Sequence, residues 1–243
     1  MSQEGLPGFA QSFDALDPLG RRYTPDGLAR AILIRLAEEL DAPPDVIIEG
    51  HVGGGAFPRQ ARLVFPTAKV VGVDLDRSAP GFDLCDVRLV GPWEDVATSI
   101  LLEHATSRTL VVGNPPFDDP KGGDPDRAQR QFRATYVAAQ AIRDLHETWS
   151  VDLSWILPHA YLGTQAWTGI LAVDPLAVLT PIAGRPWGEF VREVSTYRWR
   201  LPTFLRKKRL DAVASGDDVL RRRVLRDGTC SGLRPAISVE EWR

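Results

Sequence analysis

A short apolar run, Leu110 to Val112, ends at Gly113-Asn114-Pro115-Pro116-Phe117. Aliphatic, mostly β-branched residues in such a run make a buried strand, and two prolines cannot extend a sheet ladder. Asn114 and Phe117 are thus expected on a stiff turn at the carboxyl end of a strand, where open α/β sheets bind ligands. Asn114 brings an amide oxygen, Pro115 a carbonyl and Phe117 an aromatic face. Two acceptors beside a flat ring suit a planar group that carries an amine. The same residues also make an ordinary turn, so the upstream chain decides between the two.

Upstream, Asp45 to Glu49 reads as a buried strand that runs into Gly50-His51-Val52-Gly53-Gly54-Gly55-Ala56-Phe57. A helix is expected from Arg59 to Phe65. A glycine-rich turn between strand and helix brings backbone N–H groups against a ligand where side chains would block it. Asp74, followed by Leu75, ends the next expected strand, Lys69 to Val73. A carboxylate at that point can accept hydrogen bonds from ribose hydroxyls. The glycines do not spell G-x-G-x-x-G, but a nicotinamide or flavin enzyme remains one explanation of the loop.

The combined order is more specific than any part of it. Tyr23-Thr24-Pro25, then Glu49…Gly53-x-Gly55-x-Phe57, Asp74, Asp86 and Asn114-Pro115-Pro116-Phe117 resembles the class I S-adenosylmethionine-dependent N6-adenine methyltransferases. The resemblance runs from Tyr23 to Phe117 and more weakly to Leu201. It implies a cofactor site in which Glu49, Gly50, Gly53, Gly55 and Phe57 hold the methionine end. Asp74 and Leu75 would take the ribose and its surroundings, and Asp86 the adenine amino group. Tyr23, Thr24 and Pro25 would close over the methionine moiety, with Asn114 shared with the target. It further implies that Asn114 and the Pro115 carbonyl hold the target amine, with Pro116 stiffening the turn and Phe117 stacking on the base. The chain departs from the family where Gly50-His51 stands in place of a proline after the acidic residue, and where Asp86 sits in Cys85-Asp86-Val87.

These residues need a scaffold. Thr24 is expected to cap a helix with Pro25 in its first position, and Leu28, Ile32, Leu36 and Leu40 supply its apolar stripe. A third strand is expected at Phe82 to Leu84, a helix at Val96 to His104, and a strand at Thr109 to Val112. Downstream the pattern predicts a polar loop over Asp118 to Asp126 and a long helix over Arg127 to Thr148. Strands are predicted at Val151 to Leu157, Leu176 to Pro181 and Val194 to Leu201, with a helix over Tyr161 to Ala172. Alternation of this kind predicts an α/β fold: a Rossmann-like, seven-stranded, mainly parallel sheet with helices on both faces and a short basic C-terminal extension. Residues 1–20 are expected to form an extended arm, 21–201 the catalytic domain and 202–243 the basic extension.

The 243-residue chain carries a net charge of −3, so any contact with nucleic acid must come from a local patch. Arg206-Lys207-Lys208-Arg209 and Arg221-Arg222-Arg223, with Arg198, Arg200 and Arg226, are the candidates. Arg185, Trp187, Phe190, Arg192, Tyr197 and Trp199 interleave aromatic and basic residues as single-strand binders do. The same segment also reads as the core of a last hairpin. Cys85 and Cys230 form no metal-ligating or disulfide spacing, and the four histidines are scattered. No apolar leader or membrane-length run is visible, so a cytoplasmic monomer without a metal is expected. Nucleic acid is the expected partner, DNA ahead of RNA, and a protein glutamine is a further alternative acceptor. Phe117 favours a nucleobase, since the resemblance implies Tyr there in glutamine-modifying enzymes.

Overall fold

The computed structural model describes residues 23–116, 130–131, 134–135, 138–139, 151–158, 178–184, 186, 194–201 and 236–243. In chain order these give α1 (Asp26–Glu39), β1 (Val46–Glu49), α2 (Ala56–Val64), β2 (Lys69–Asp74) and a 3₁₀ turn (Pro80–Leu84). Then follow β3 (Val87–Val90), α3 (Trp93–Glu103), β4 (Thr109–Gly113), β5 (Val151–Pro158), β6 (Val178–Pro181), β7 (Val194–Leu201) and a C-terminal helical turn (Val239–Trp242).

The strands lie in the order β3-β2-β1-β4-β5-β7-β6. The pairs from β3 through β5 are all parallel, and β7 joins β5 and β6 antiparallel. The α/β reading with a parallel sheet therefore holds. Strand order reverses between β1 and β4, and such a switch point opens a crevice beyond the carboxyl ends of the strands. Glu49 pairs with Val112 in β4, and Gly113 pairs with Trp155 in β5, so the residues leaving β1 and β4 emerge side by side.

Both faces of the sheet are covered. α1 and α2 pack Leu28, Ile32, Leu33, Leu36, Phe57 and Ala61 against Ile47, Val70, Leu110 and Val112 on one face. α3 packs Trp93, Ala97, Ile100 and Leu101 against Ile48, Val71, Val111 and Leu153 on the other. Alternate residues of β1 and β4 thus serve opposite cores, which is why these strands are apolar throughout. Arg130, Gln131, Ala134, Thr135, Ala138 and Ala139 are helical, within the predicted long helix. Thr135 accepts a hydrogen bond from the Trp93 indole at 2.9 Å.

Several local readings need correction. Phe82 to Leu84 is not a strand: Pro80 and Gly81 open a 3₁₀ turn, and the third strand follows at Val87–Val90. It is Val87–Val90 that pairs with β2, in the register Val71↔Val87 to Asp74↔Val90. α3 begins at Trp93, because Pro92 is in the extended conformation that precedes a helix and Glu94 and Asp95 fill the first turn. Thr24 does not cap α1. Pro25 is the capping residue, extended at φ −61° and ψ 141°, and its carbonyl accepts from Ala29.

The C-terminal segment returns to α1. Ile237 bridges Ile182 in parallel and is fully buried. Ser238 and Glu241 form a capping box, Arg35 binds Glu241 at 3.0 Å and the Ala236 carbonyl at 3.1 Å, and the Trp242 indole donates to the Ala183 carbonyl at 3.1 Å. Gly27, inside α1, is required by this contact, because a Cβ there would lie 2.1 Å from the Trp242 carbonyl oxygen. Elsewhere such a glycine would cost a helix about 1 kcal/mol relative to alanine. The arm at 1–20, the loop at 118–126, the helix at 161–172 and the basic clusters at 206–209 and 221–223 lie outside the described residues.

Candidate functional site

The glycine turn after β1 is shaped by backbone geometry that only glycine adopts cheaply. Gly53 has φ 46° and Gly55 φ 78°, and Gly55 caps α2 from the left-handed region. Gly55 also meets Gly81, whose N–H donates to the Gly53 carbonyl at 2.9 Å; a Cβ on Gly55 would lie 2.5 Å from the Gly81 Cα. The 3₁₀ turn after β2 is thereby held against the glycine turn. Gly50 lies over the buried indole of Trp93.

Asp74, at the end of β2, accepts from the Gly53 N–H at 2.8 Å and, through its other oxygen, from the Asp76 N–H at 2.9 Å. It therefore fixes the glycine turn from a half-buried position. Leu75 beside it is 55% exposed, apolar surface at a strand end next to a polar anchor. Tyr23 lies across the turn: Cβ atoms on Gly53 and Gly54 would meet its ring at 3.0 and 3.3 Å. Thr24 and Pro25 follow, both half-buried.

Glu49 ends β1 where the glycine turn begins. It is 1% exposed, and its Oε1 accepts from the His51 N–H at 3.2 Å. Its Oε2 is buried with no hydrogen-bond partner among the described residues. Burial pushes the Glu49 carboxyl well above the usual carboxylate range; the His51 N–H opposes this, and the Asp74 charge adds to it. A buried carboxyl with one oxygen unsatisfied is a poor structural choice and a good receptor for a cationic group.

Gly113 brings β4 against this carboxyl. A Cβ on Gly113 would lie 3.1 Å from Glu49 Oε1, 3.2 Å from His51 Nδ1 and 3.7 Å from Trp155 Nε1. The His51 and Trp155 rings meet edge to face at 6.1 Å. Asn114 leaves the strand from this point, half-buried, followed by buried Pro115 and half-buried Pro116. Phe117 lies outside the described residues. The structure thus brings Tyr23, Glu49, Gly53, Asp74 and Asn114 to one end of the sheet. His51 and Trp155 line the same point. For His51 the signal was its place inside the glycine loop; for Trp155 the sequence shows only one more apolar strand residue.

Two expected cofactor residues do not join them. Asp86 precedes β3 and lies at the amino end of the sheet, where it accepts from the Val70 N–H at 2.7 Å and from Arg62 at 2.7 Å. The Arg62 guanidinium holds its carboxyl below the usual range. Placing the third strand too early put Asp86 at the wrong end of it. Phe57 is 3% exposed and its ring belongs to the core under α2, so it serves packing. Arg198, grouped with the phosphate-binding arginines, is instead committed inside the protein to Glu39 and to Asp152, the latter at 3.0 Å. Cys85 is buried and its thiol is pushed up to about 12, chiefly by burial and then by Glu49, which makes it inert.

Among the described residues no group of three or more His, Cys, Asp or Glu side chains could hold a metal ion. No described helix is long and apolar enough to cross a membrane. No protein-family model matches the chain. Over 125 residues, 45% of the chain, it is 30% identical to the type II methyltransferase M.XamI of Xanthomonas campestris pv. amaranthicola, and the match spans 23% of that protein's length. Among solved structures, the M protein of the type I restriction enzyme EcoKI superposes with a TM-score of 0.47 at 14% identity, covering 77% of this chain and 45% of that one. Human methyltransferase-like protein 13, solved with SAH, gives 0.47 at 17% identity, covering 83% and 90%. TrmN from Thermus thermophilus gives 0.43 at 16%, covering 73% and 49%.

Proposed function

We propose that the chain is an S-adenosylmethionine-dependent methyltransferase that methylates the N6 amine of adenine in DNA. The observation that carries this reading is the unsatisfied oxygen of buried Glu49, set between a glycine turn and Asn114. The methionine ammonium supplies the cation that this oxygen lacks. The glycine turn gives close backbone approach, Asp74 accepts from the ribose hydroxyls, and Tyr23, Thr24 and Pro25 cover the methionine end. Leu75 offers apolar surface beside the ribose. With Asp86 at the far end of the sheet, the adenine ring of the cofactor is left to the loops after β2 and β3.

When bound, the cofactor supplies an electrophilic methyl group on a sulfonium. The chain's own residues do the rest. The lone pair of an exocyclic adenine amine is delocalised into the ring, so the amine is a poor nucleophile. The Asn114 side-chain oxygen and the Pro115 carbonyl accept hydrogen bonds from its two N–H groups, localise density on nitrogen and aim it; the proton that the methylated amine sheds goes to solvent. Pro115 and Pro116 keep those acceptors from drifting, and Phe117 stacks on the base, which offsets part of the cost of flipping it from a duplex.

The partial match to a type II methyltransferase favours DNA as the target. RNA is the second reading, favoured by the aromatic and basic residues interleaved at Arg185, Trp187, Phe190 and Arg192. Incubation with methyl-labelled S-adenosylmethionine and separate DNA and RNA pools, followed by digestion and nucleoside chromatography, tests both. Labelled N6-methyldeoxyadenosine is expected; label only in ribonucleosides moves the target to RNA, and label only in protein refutes a nucleobase target.

A further inference from the structure

Resting on the methyltransferase reading, the structure assigns to the C-terminal turn Ser238–Trp242 the task of holding the Tyr23-Thr24-Pro25 cover over the glycine turn, with Trp242 and Glu241 as positioning residues. Three contacts make the connection. The Trp242 backbone lies against Gly27 so closely that even a methyl group would be excluded. Gly27 is in the first turn of α1, directly after the cover. The neighbouring Asp26 binds Arg59 at 2.6 Å, and Arg59 reaches back to the Gly54 carbonyl at 3.4 Å, so that turn is tied to the glycine loop on its other side.

The turn itself is well anchored, which lets it act as a fixed reference. Its capping box closes both ends of the Ser238–Glu241 pair, Ile237 is buried beside Ile182, and the Ala183 N–H donates to the Ile237 carbonyl at 3.0 Å. Arg35, two turns along α1, grips Glu241 and the Ala236 carbonyl. Trp242 also packs close to Gly184, which has φ 79° at the start of the segment leading to Arg185 and Trp187. One short turn thus joins the helix that carries the cofactor cover to the end of β6.

Amide hydrogen exchange on the full chain without cofactor tests this directly. In Trp242→Ala and Gly27→Ala, amides from Ala29 to Leu33 should exchange at least ten-fold faster, while those of β1 and β4 keep wild-type rates. Trp242→Phe should restore most of the protection. Affinity for S-adenosylmethionine, by calorimetry, should fall about ten-fold in the two disruptive variants and remain near wild type in Trp242→Phe. Wild-type exchange at Ala29 to Leu33 in both variants, or equal acceleration throughout the sheet, would overturn the inference. Exchange is read without cofactor, so it decides the clasp independently; a wild-type chain that bound no S-adenosylmethionine would sink only the methyltransferase reading.

Discussion

On the proposed reading, Glu49 and Asn114 divide the chemistry between the two partners of the reaction. Glu49 is buried and raised, so the free protein holds its proton to higher pH than an ordinary glutamate does. A cation arriving at Oε2 favours the ionised form. Cofactor binding should therefore release a proton, and affinity should weaken as pH falls through the raised pKa. The stability term has the opposite sense. Because the folded pKa lies above the unfolded one, the contribution is fully present below the unfolded pKa and is lost as pH rises through the folded one. Glu49→Gln should raise the melting temperature of the free protein at neutral pH and abolish proton release. It should also weaken cofactor binding by ten- to a hundred-fold, the loss of a charge-assisted hydrogen bond of ~1.5–3 kcal/mol. Calorimetry in buffers of different ionisation heat reads all three. Asn114→Ala should reduce methyl transfer by at least ~100-fold, as removal of an aimed polar group does, with cofactor affinity nearly unchanged. Wild-type turnover in that variant would remove the assigned mechanism.

At the level of elements, Asp74 and Asp86 form a matched test. Both are strand-end aspartates, but Asp74 pins the Gly53 N–H at the carboxyl end of β2 whereas Asp86 caps the amino end. Asp74→Ala should cost cofactor affinity and also loosen the glycine turn, so a modest drop in melting temperature is expected with it. Asp86→Asn should leave cofactor affinity within two-fold and lower stability by less than about 1 kcal/mol, since the Arg62 pair is largely exposed. Titration of S-adenosylmethionine into the two variants separates them. The contrast also shows what was readable beforehand. β1, β2, β4, β5 and β7 were legible because buried parallel strands are continuous apolar runs, or strong alternations, bounded by Gly, Pro or Asp. The span Phe82–Val90 was not, because two short apolar patches compete there and only pairing to β2 chooses between them. Glu49, Asp74 and Asn114 are singled out by their order along the chain, and the structure places them at one end of the sheet. His51 and Trp155 were missed because their meeting depends on β5 lying next to β4, a neighbour relation that local pattern does not encode.

At the scale of the whole molecule, the proposed DNA target requires a chain of net charge −3 to hold a polyanion. Arg198 is removed from the list of available cations by its internal pairs. The remaining clusters at Arg206–Arg209 and Arg221–Arg223 carry the proposal. If they meet phosphates, DNA affinity should fall with salt at a log–log slope of about −0.9 per contact. Replacing Arg206, Lys207, Lys208 and Arg209 by Ala should flatten that slope by a few units, weaken all sequences alike and spare cofactor binding. Filter binding across a salt series measures it, and an unchanged slope would shift recognition to the segment after Phe117.

The internal pairing of Arg198 also bears on how the molecule comes into being. Arg198 joins Glu39 across 159 positions, and Arg35 meets Glu241 across 206. α1 therefore draws the groups that lock it from positions far along the chain. Contacts this distant along the chain close slowly, because loop entropy is spent before they form. α1 should therefore be latched only after the sheet that it covers has formed. In refolding, β1 and β4 amides should gain protection before those of α1.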